Sequence, residues 1–450
     1  MSGFFFPKED QPMNEGASVA HNVIGASDAG TLPGLFLERI GRTPERTAYR
    51  AYDRRSACWR DHTWRAMGDR AGRFQSAFKA HGLVAGDRVA ILLPNGIDWV
   101  ACDMAAQGLG LVVVPLYAHD SAANSAYILG HAGARLAVID TAERWNELVP
   151  HIGQFPVLEH VWIGAGGASQ ANEGVPPTVC ALEAVLPAHA GPFETAGIDP
   201  KDAATIVYTS GTTGRPKGVI LSHFALLWNA EAAAAFVPPR EDDLFLSILP
   251  LAHAFERTGG YYLPMMGGST VAYARSVEDL REDMVSIRPT AMLAVPRLFE
   301  RIHAAVRRRA EHNPVRRNLL DLTVSLGWRR FAARHGRGPD LNPIAALAWR
   351  LLDRVVAAKV RAAFGGRLRA AVSGGASLPE DTARFLIGLG IPVLEGYGLT
   401  EAAPRGHGFF PRGQSTRLGR TPSARARIEA RCKRRTARAL ARGHERILEG

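Results

Sequence analysis

YTSGTTGRPKG, Tyr208 to Gly218, decides how this chain is read. Thr209, Ser210, Thr212 and Thr213 supply hydroxyls, while Gly211, Gly214 and Gly218 permit positive φ and close approach of the backbone to a ligand. Lys217 adds a cation. Hydroxyls, backbone amides and one ammonium at this density make a cradle for phosphate oxygens. The run is not a Walker A loop, because Lys217 stands between Pro216 and Gly218 and no Gly-Lys-Ser/Thr falls at the required offset. Gly/Ser loops as a class are more often plain turns, so the phosphate reading needs support from the rest of the chain.

The flanks give that support a frame. A β-branched run, Ala204 to Tyr208, precedes the loop, and a helix is expected from near Ser222. Strand-like runs continue at Leu244–Leu249, Thr270–Tyr273, Ala291–Val295, Arg369–Val372 and Pro392–Glu395, with helical stretches at Val315–Arg334 and Ala345–Phe364. The same alternation fills the earlier part: strands at Arg88–Leu93, Gly110–Pro115, Arg135–Ile139 and Val157–Ile163, and a helix at Trp64–His81. Strands alternating with helices predict an α/β fold of two successive α/β subdomains, residues 31–200 and 201–404. Residues 1–30 read as a flexible leader and 405–450 as a separate basic tail.

Composition excludes several classes. The chain has 450 residues, 46% hydrophobic and 22% charged, enough apolar material for two or three ordinary cores. Cys58, Cys102, Cys180 and Cys432 form no CxxC pair, so neither a disulfide framework nor a zinc ribbon is indicated. No run reaches the roughly 18 to 20 apolar residues of a membrane span, and no secretory leader is legible, which predicts a cytoplasmic protein. The net charge of +11 invites a nucleic-acid reading, but residues 405–450 hold thirteen Arg/Lys against three Glu. Residues 1–404 hold 41 basic and 40 acidic side chains, so the body is neutral in sum.

With the cradle and its frame in view, Tyr208–Gly218 resembles the signature of the AMP-forming acyl-CoA synthetases, part of the adenylate-forming enzymes. Three further stretches match in order: LPLAHAFER (Leu249–Arg257), VSGGASLP (Val372–Pro379) and EGYGLTE (Glu395–Glu401). PTAMLAVPRLFERI, Pro289–Ile302, is similar to the long-chain fatty acyl branch. The resemblance covers roughly Leu32 to Pro404 and implies an adenylation domain. It implies a fatty acid carboxylate attacking the α-phosphorus of ATP, loss of pyrophosphate, and transfer of the acyl group to coenzyme A. On this resemblance Thr209, Ser210, Gly211, Thr212, Thr213, Gly214 and Lys217 hold the β- and γ-phosphates. Glu401 binds Mg²⁺, Thr400 donates to the α-phosphate, and Tyr397 with Gly398 stacks on adenine. Gly374, Gly375 and Ala376 form a thin wall for the base, and His253 sits where carboxylate and α-phosphate meet. Each has a plainer alternative: a lone histidine is usually structural, Thr400–Glu401 suits a helix start, and Glu256 and Arg257 read as packing or ion-pair residues.

The family pattern continues with a Thr-Gly-Asp, a hinge and a small C-terminal domain bearing a lysine, and none is legible after Pro404. The smaller C-terminal domain is therefore expected to be missing and the chain impaired as a ligase. Arg, Ala, Gly and Pro crowding is what a GC-rich gene gives in a wrong frame. Codons for Arg405 to Ala426 can be re-read from the second base as family-like text, so a frameshift near Pro404 is expected. Two alternatives stay open: a non-catalytic nucleotide or acyl binder, and a nucleic-acid binder acting through the arginine tail, although no specific nucleic acid is expected. Peripheral contact with a membrane is compatible with either.

Overall fold

In the computed structural model, residues 22–165, 176–209, 215–396 and 409–410 are described. Their strands are β1 (Thr47–Asp53), β2 (Cys58–Thr63), β3 (Arg88–Leu92), β4 (Val112–Pro115), β5 (Ala134–Thr141), β6 (His160–Ala165), β7 (Thr178–Ala181), β8 (Ala203–Thr209), β9 (Lys217–Ser222), β10 (Leu244–Ser247), β11 (Thr270–Tyr273), β12 (Ala291–Ala294), β13 (Ala370–Ser373), β14 (Val393–Gly396) and β15 (Phe409–Phe410). They form two sheets, ordered β15-β14-β13-β12-β10-β11-β1-β2 and β7-β6-β5-β3-β4-β8-β9. The fold is the expected α/β type with two parallel-rich sheets.

Local sequence explains the elements. β4, VVVP, is buried along its whole length, as a strand covered on both faces must be. Thr63 Oγ1 accepts from the Ala66 amide and starts the helix Trp64–Ala80. Ser222 Oγ accepts from the Ala225 amide and starts the helix His223–Ala234 where one was expected. Pro296, Pro314 and Pro343 each open a helix at the position where a missing N–H costs nothing.

Two features differ from expectation. First, the sheets do not divide the chain at residue 200. The hairpin β1–β2 pairs with β11, with Tyr49 beside Val271, and so joins the later sheet. β8 and β9 instead join the earlier sheet, Thr205 lying beside Val113. Sheet membership follows long-range pairing, which composition does not carry. Second, the segment between the signature loop and the helix His223–Ala234, for which sequence alone predicts no element, is a strand. Lys217–Ser222 runs antiparallel to β8, with Thr209 opposite Lys217 and Tyr208 opposite Gly218. The signature run thus enters along β8 and returns along β9, and among the described residues after it no helix begins before His223.

In the larger sheet β10 is flanked by β11 on one side and β12 on the other, so successive connections leave in opposite directions. That reversal opens a crevice at the carboxyl ends of the strands, where open α/β sheets bind ligands. The three helices Pro296–Glu311, Pro314–Arg334 and Pro343–Leu352 all lie in the connection from β12 to β13 and pack on a core around Phe299, Leu326, Trp349 and Phe385 that also takes in Leu246, Met292 and Ala371 of the larger sheet. Among the described residues, no helix is long and apolar enough to cross a membrane.

Candidate functional site

The signature hairpin is anchored at its base. Gly218 lies across from Tyr208, and a Cβ there would come within 2.8 Å of Ile206 and 3.1 Å of the Tyr208 ring, so the missing side chain lets the ring lie on the strand. The Tyr208 hydroxyl is 2.7 Å from His131 Nδ1, and burial pushes its pKa up to about 12. Arg215 stacks over Tyr127 with 5.4 Å to the ring centroid, holding the far strand of the hairpin against the helix Ala122–Ala132. Thr209 and Lys217 are thus fixed as a cross-strand pair at the neck of the loop, with Lys217 exposed. Ser210, Gly211, Thr212, Thr213 and Gly214 lie outside the described residues.

His253 follows β10 at the sheet reversal. Its Nδ1 accepts from the Phe255 amide at 3.2 Å, which caps the short helix Ala254–Glu256. Burial lowers its pKa, so the ring is neutral near pH 7. With Nδ1 accepting, the ring proton resides on Nε2, and His253 offers a neutral N–H donor. A donor of that kind suits an oxygen on which negative charge develops.

The turn that presents His253 is held from the other sheet. Asn95, just after β3, donates from Nδ2 to the Leu249 carbonyl at 2.7 Å and to Ser247 Oγ at 3.2 Å, and its Oδ1 accepts from the Leu251 amide at 2.8 Å. One side chain therefore brackets the whole segment Ser247–Leu251. Nothing in the sequence marked Asn95, because its partners are more than 150 positions away.

Arg257, read from sequence as a packing or ion-pair residue, is both. It is buried, donates to Asp103 Oδ1 at 2.7 Å and to Thr205 Oγ1 at 2.8 Å, and lies over the rings of Trp99 and Tyr262. Burial pushes the Asp103 carboxyl up, and the Arg257 guanidinium beside it opposes that rise. Thr205 belongs to β8, so the His253 segment is tied to the strand that leads into the signature loop. The backbone over Arg257–Tyr262 takes π-helical form, a widening frequent near functional sites. Glu256 does not fit the ion-pair reading. It is fully buried, neither carboxyl oxygen has a partner of good hydrogen-bond geometry, and burial raises its pKa to about 8 against a small opposing effect of Ser247. Glu256 is a neutral acid at pH 7.

Gly374, Gly375 and Ala376 follow β13 at the same edge of the sheet. A Cβ at Gly374 would lie 2.6 Å from the Phe255 ring, so that residue's thin face is occupied by the neighbour of His253. Gly375, at φ +82°, and Ala376 are exposed and keep an open face. Glu395 Oε1 accepts from the Leu378 amide at 2.9 Å and closes the turn. Tyr397, Gly398, Thr400 and Glu401 lie outside the described residues. The chain leaves β14 at Gly396, directly before Tyr397, at the same carboxyl edge as His253 and Gly374.

A cavity of about 750 Å³ joins the two sheets at their carboxyl edges. Its lining includes Asn95, Tyr117, Asp140, Leu251, Tyr273 and Arg275, and so reaches the bracketed segment before His253. That volume suits an organic substrate. Among the described residues, no group of three His, Cys, Asp or Glu side chains could hold a metal ion.

Comparison with known proteins accords with this arrangement. The profile of the AMP-binding enzyme family matches residues 36–432. The chain is 32% identical over 326 residues to the long-chain-fatty-acid–CoA ligase FadD15 of Mycobacterium bovis, covering 72% of this chain and 53% of that protein. It is 30% identical to the peroxisomal long chain acyl-CoA synthetase 6 of Arabidopsis thaliana, covering 76% of this chain and 48% of that one. The chain thus spans about half the length of these curated relatives. In fold it is similar to the N-terminal domain of FACL13 from Mycobacterium tuberculosis, at a TM-score of 0.60 and 22% identity over 83% of this chain and 76% of that one. The adenylation domain of a carboxylate reductase from Mycobacterium chelonae superposes at a TM-score of 0.62 and 22% identity, covering 87% of this chain and 62% of that one.

Proposed function

The chain belongs to the AMP-binding enzyme family, and from that premise we propose that it is the nucleotide-handling part of an AMP-forming long-chain fatty acid–CoA ligase. The observation that carries the reading is the cross-strand pair Thr209–Lys217 at the neck of the signature loop, tied through Thr205 and Arg257 to the turn bearing His253.

The reaction divides into two displacements. A carboxylate oxygen of the fatty acid bonds to the α-phosphorus of ATP while the bond to the β-phosphate oxygen breaks and pyrophosphate leaves. The thiol of coenzyme A then bonds to the acyl carbon, the acyl–phosphate bond breaks, AMP leaves and the thiol proton passes to solvent. Both steps bring anions together, so fixed cations and donors supply most of the stabilisation. Lys217 and the hydroxyls of Thr209, Ser210, Thr212 and Thr213 take the β- and γ-phosphates. His253 donates from Nε2 to oxygen at the junction of carboxylate and α-phosphate. Gly375, Ala376 and Tyr397 with Gly398 enclose adenine, and Thr400 donates to the α-phosphate. Mg²⁺ would neutralise phosphate charge, and Glu401 is the residue assigned to hold it. We place the protein in the cytoplasm.

ATP–pyrophosphate exchange with palmitate tests this reading. The chain should catalyse exchange, and Lys217→Ala should weaken ATP binding about tenfold or more, the loss of one charge-assisted hydrogen bond. Thermal stabilisation by ATP without exchange would instead support a non-catalytic nucleotide binder. Neither response would refute both. A separate proposal concerns residues 405–450, whose codons we read as shifted by one frame. The family match running to residue 432 weighs against it, and the nucleotide sequence across codons 400–450 decides it.

A further inference from the structure

The span bearing His253 is gripped at both ends by one strand–helix unit of the smaller sheet. That unit runs from β3 through Pro94, Asn95 and Gly96 into the helix Ile97–Gly108. Asp103 on the helix binds Arg257, which follows His253, and Asn95 binds the segment Ser247–Leu251, which precedes it. Between the two grips the His253 amide donates to the Pro250 carbonyl at 2.9 Å and the Arg257 amide to the His253 carbonyl at 3.1 Å. The histidine therefore sits on a short closed turn whose position is set from the other sheet.

Position 95 calls for a carboxamide. The Leu251 amide needs an acceptor and the Leu249 carbonyl needs a donor, and Oδ1 and Nδ2 of one planar group meet them at 2.8 and 2.7 Å. The same pairing fixes which way the amide faces, because the opposite assignment would set N–H against N–H and oxygen against oxygen. Asn95 takes the place of a neighbouring strand where β10 has ended at Ser247. Leu251 is buried, so without Oδ1 its amide loses its partner and the turn must shift to find another. That shift is carried to the imidazole, whose Nδ1 depends on reaching the Phe255 amide.

We propose that Asn95 is a positioning residue for adenylate formation: it holds Ser247–Leu251 so that His253 keeps Nδ1 on the Phe255 amide and Nε2–H on the reacting oxygens. The catalytic use of His253 rests on the ligase reading above, whereas the grip of Asn95 on its turn does not. The ATP phosphates are assigned to Lys217 and its loop, which Asn95 does not touch. Loss of Asn95 therefore slows the chemical step and leaves nucleotide binding in place.

Two measurements on the full chain test this. In magnetic resonance of protein carrying nitrogen-labelled histidine, the His253 signals, assigned by their loss in His253→Asn, report which ring nitrogen holds the proton. The wild type should show one neutral form, protonated on Nε2, with a pKa held below that of an ordinary histidine by burial. Asn95→Ala should give mixed tautomers and a pKa nearer the ordinary value. In ATP–pyrophosphate exchange with palmitate, Asn95→Ala should lower kcat about 100-fold, the effect of a small misplacement, and change KM for ATP by less than about twofold. In the His253→Asn chain the same substitution should change kcat by less than about threefold, because the two residues act as a unit. Asn95→Asp, which keeps the acceptor for Leu251 but cannot donate to Leu249, is the milder change if Asn95→Ala does not fold; it is read by tautomer alone, since its charge would itself raise the His253 pKa. Unchanged His253 signals in these variants would overturn the proposal. So would an equal loss of kcat in the His253→Asn chain, which would mark general loosening of the fold, or a raised KM for ATP at unchanged kcat. A wild type without exchange would end the ligase reading instead, and the nitrogen signals would still decide the role of Asn95.

Discussion

Glu256→Gln should make the protein more stable, and increasingly so as the pH rises. The carboxyl is fully buried beside Gly260, where a Cβ would come within 2.2 Å of Oε1, and its pKa stands at about 8 against 4.5 for an ordinary glutamate. Between those two values the unfolded chain has lost the proton and the folded chain keeps it. The folded state then binds more protons, so each pH unit above 4.5 costs about 1.36 kcal/mol of stability until the folded group also ionises. At pH 7 the accumulated cost is about 3 kcal/mol, and above pH 8 it levels off. Glutamine has nearly the shape of the protonated acid and never ionises, so the variant escapes that cost. Calorimetric unfolding of both proteins at pH 5, 6, 7 and 8 measures it. The two should nearly coincide at pH 5 and diverge steadily to pH 8, by several degrees in Tm. A difference that stays flat with pH, or one that favours the wild type more as pH rises, would refute the assignment of a neutral buried acid.

Three further outcomes follow from the site. Arg257→Met should destabilise by about 3 to 5 kcal/mol, because Asp103 is left buried and uncompensated. Adding Asp103→Leu should recover much of that loss in denaturant unfolding. Gly374→Val should cost about 1 to 3 kcal/mol through overlap with the Phe255 ring, and Phe255→Ala placed in the same chain should make the valine less costly; equal penalties in both backgrounds would contradict the contact. The rate of exchange should fall on the acid side below pH 6.5, since a proton on His253 Nδ1 breaks its bond from the Phe255 amide, and His253→Asn should remove that acid limb from the pH profile.

The parts of the fold visible in the sequence were those set by local chemistry. Val112–Pro115 and Leu244–Ser247 are short apolar runs that suit only buried strands, and Ser222 is a helix cap wherever it sits before such a pattern. The hairpin β1–β2 was hidden because its faces carry charge: Arg50 binds Asp61 and Arg60 binds Asp53, and the ion pairs mask the apolar alternation. β7 is an edge strand of four residues, too short to show a period. Within the site, His253 and Lys217 were marked by their motifs, whereas Asn95, the Arg257–Asp103 pair and the Phe255 ring on Gly374 depend on contacts between distant segments.

The pairing of β1 with β11 also sets a clock. Tyr49 leaves the ribosome long before Val271, its neighbour in the finished sheet, and 222 positions separate them. At about 5 to 20 residues per second the hairpin spends roughly 11 to 44 seconds without that neighbour. During this interval one of its edges has unmet backbone hydrogen bonds and invites the wrong strand, from this chain or another. Arrested nascent chains ending before Thr270 should expose the hairpin to protease, and chains extended well past Tyr273 should protect it. Slow codons placed between these strands would lengthen the exposure, so the rate of translation becomes a determinant of yield that no substitution in the hairpin itself would reveal.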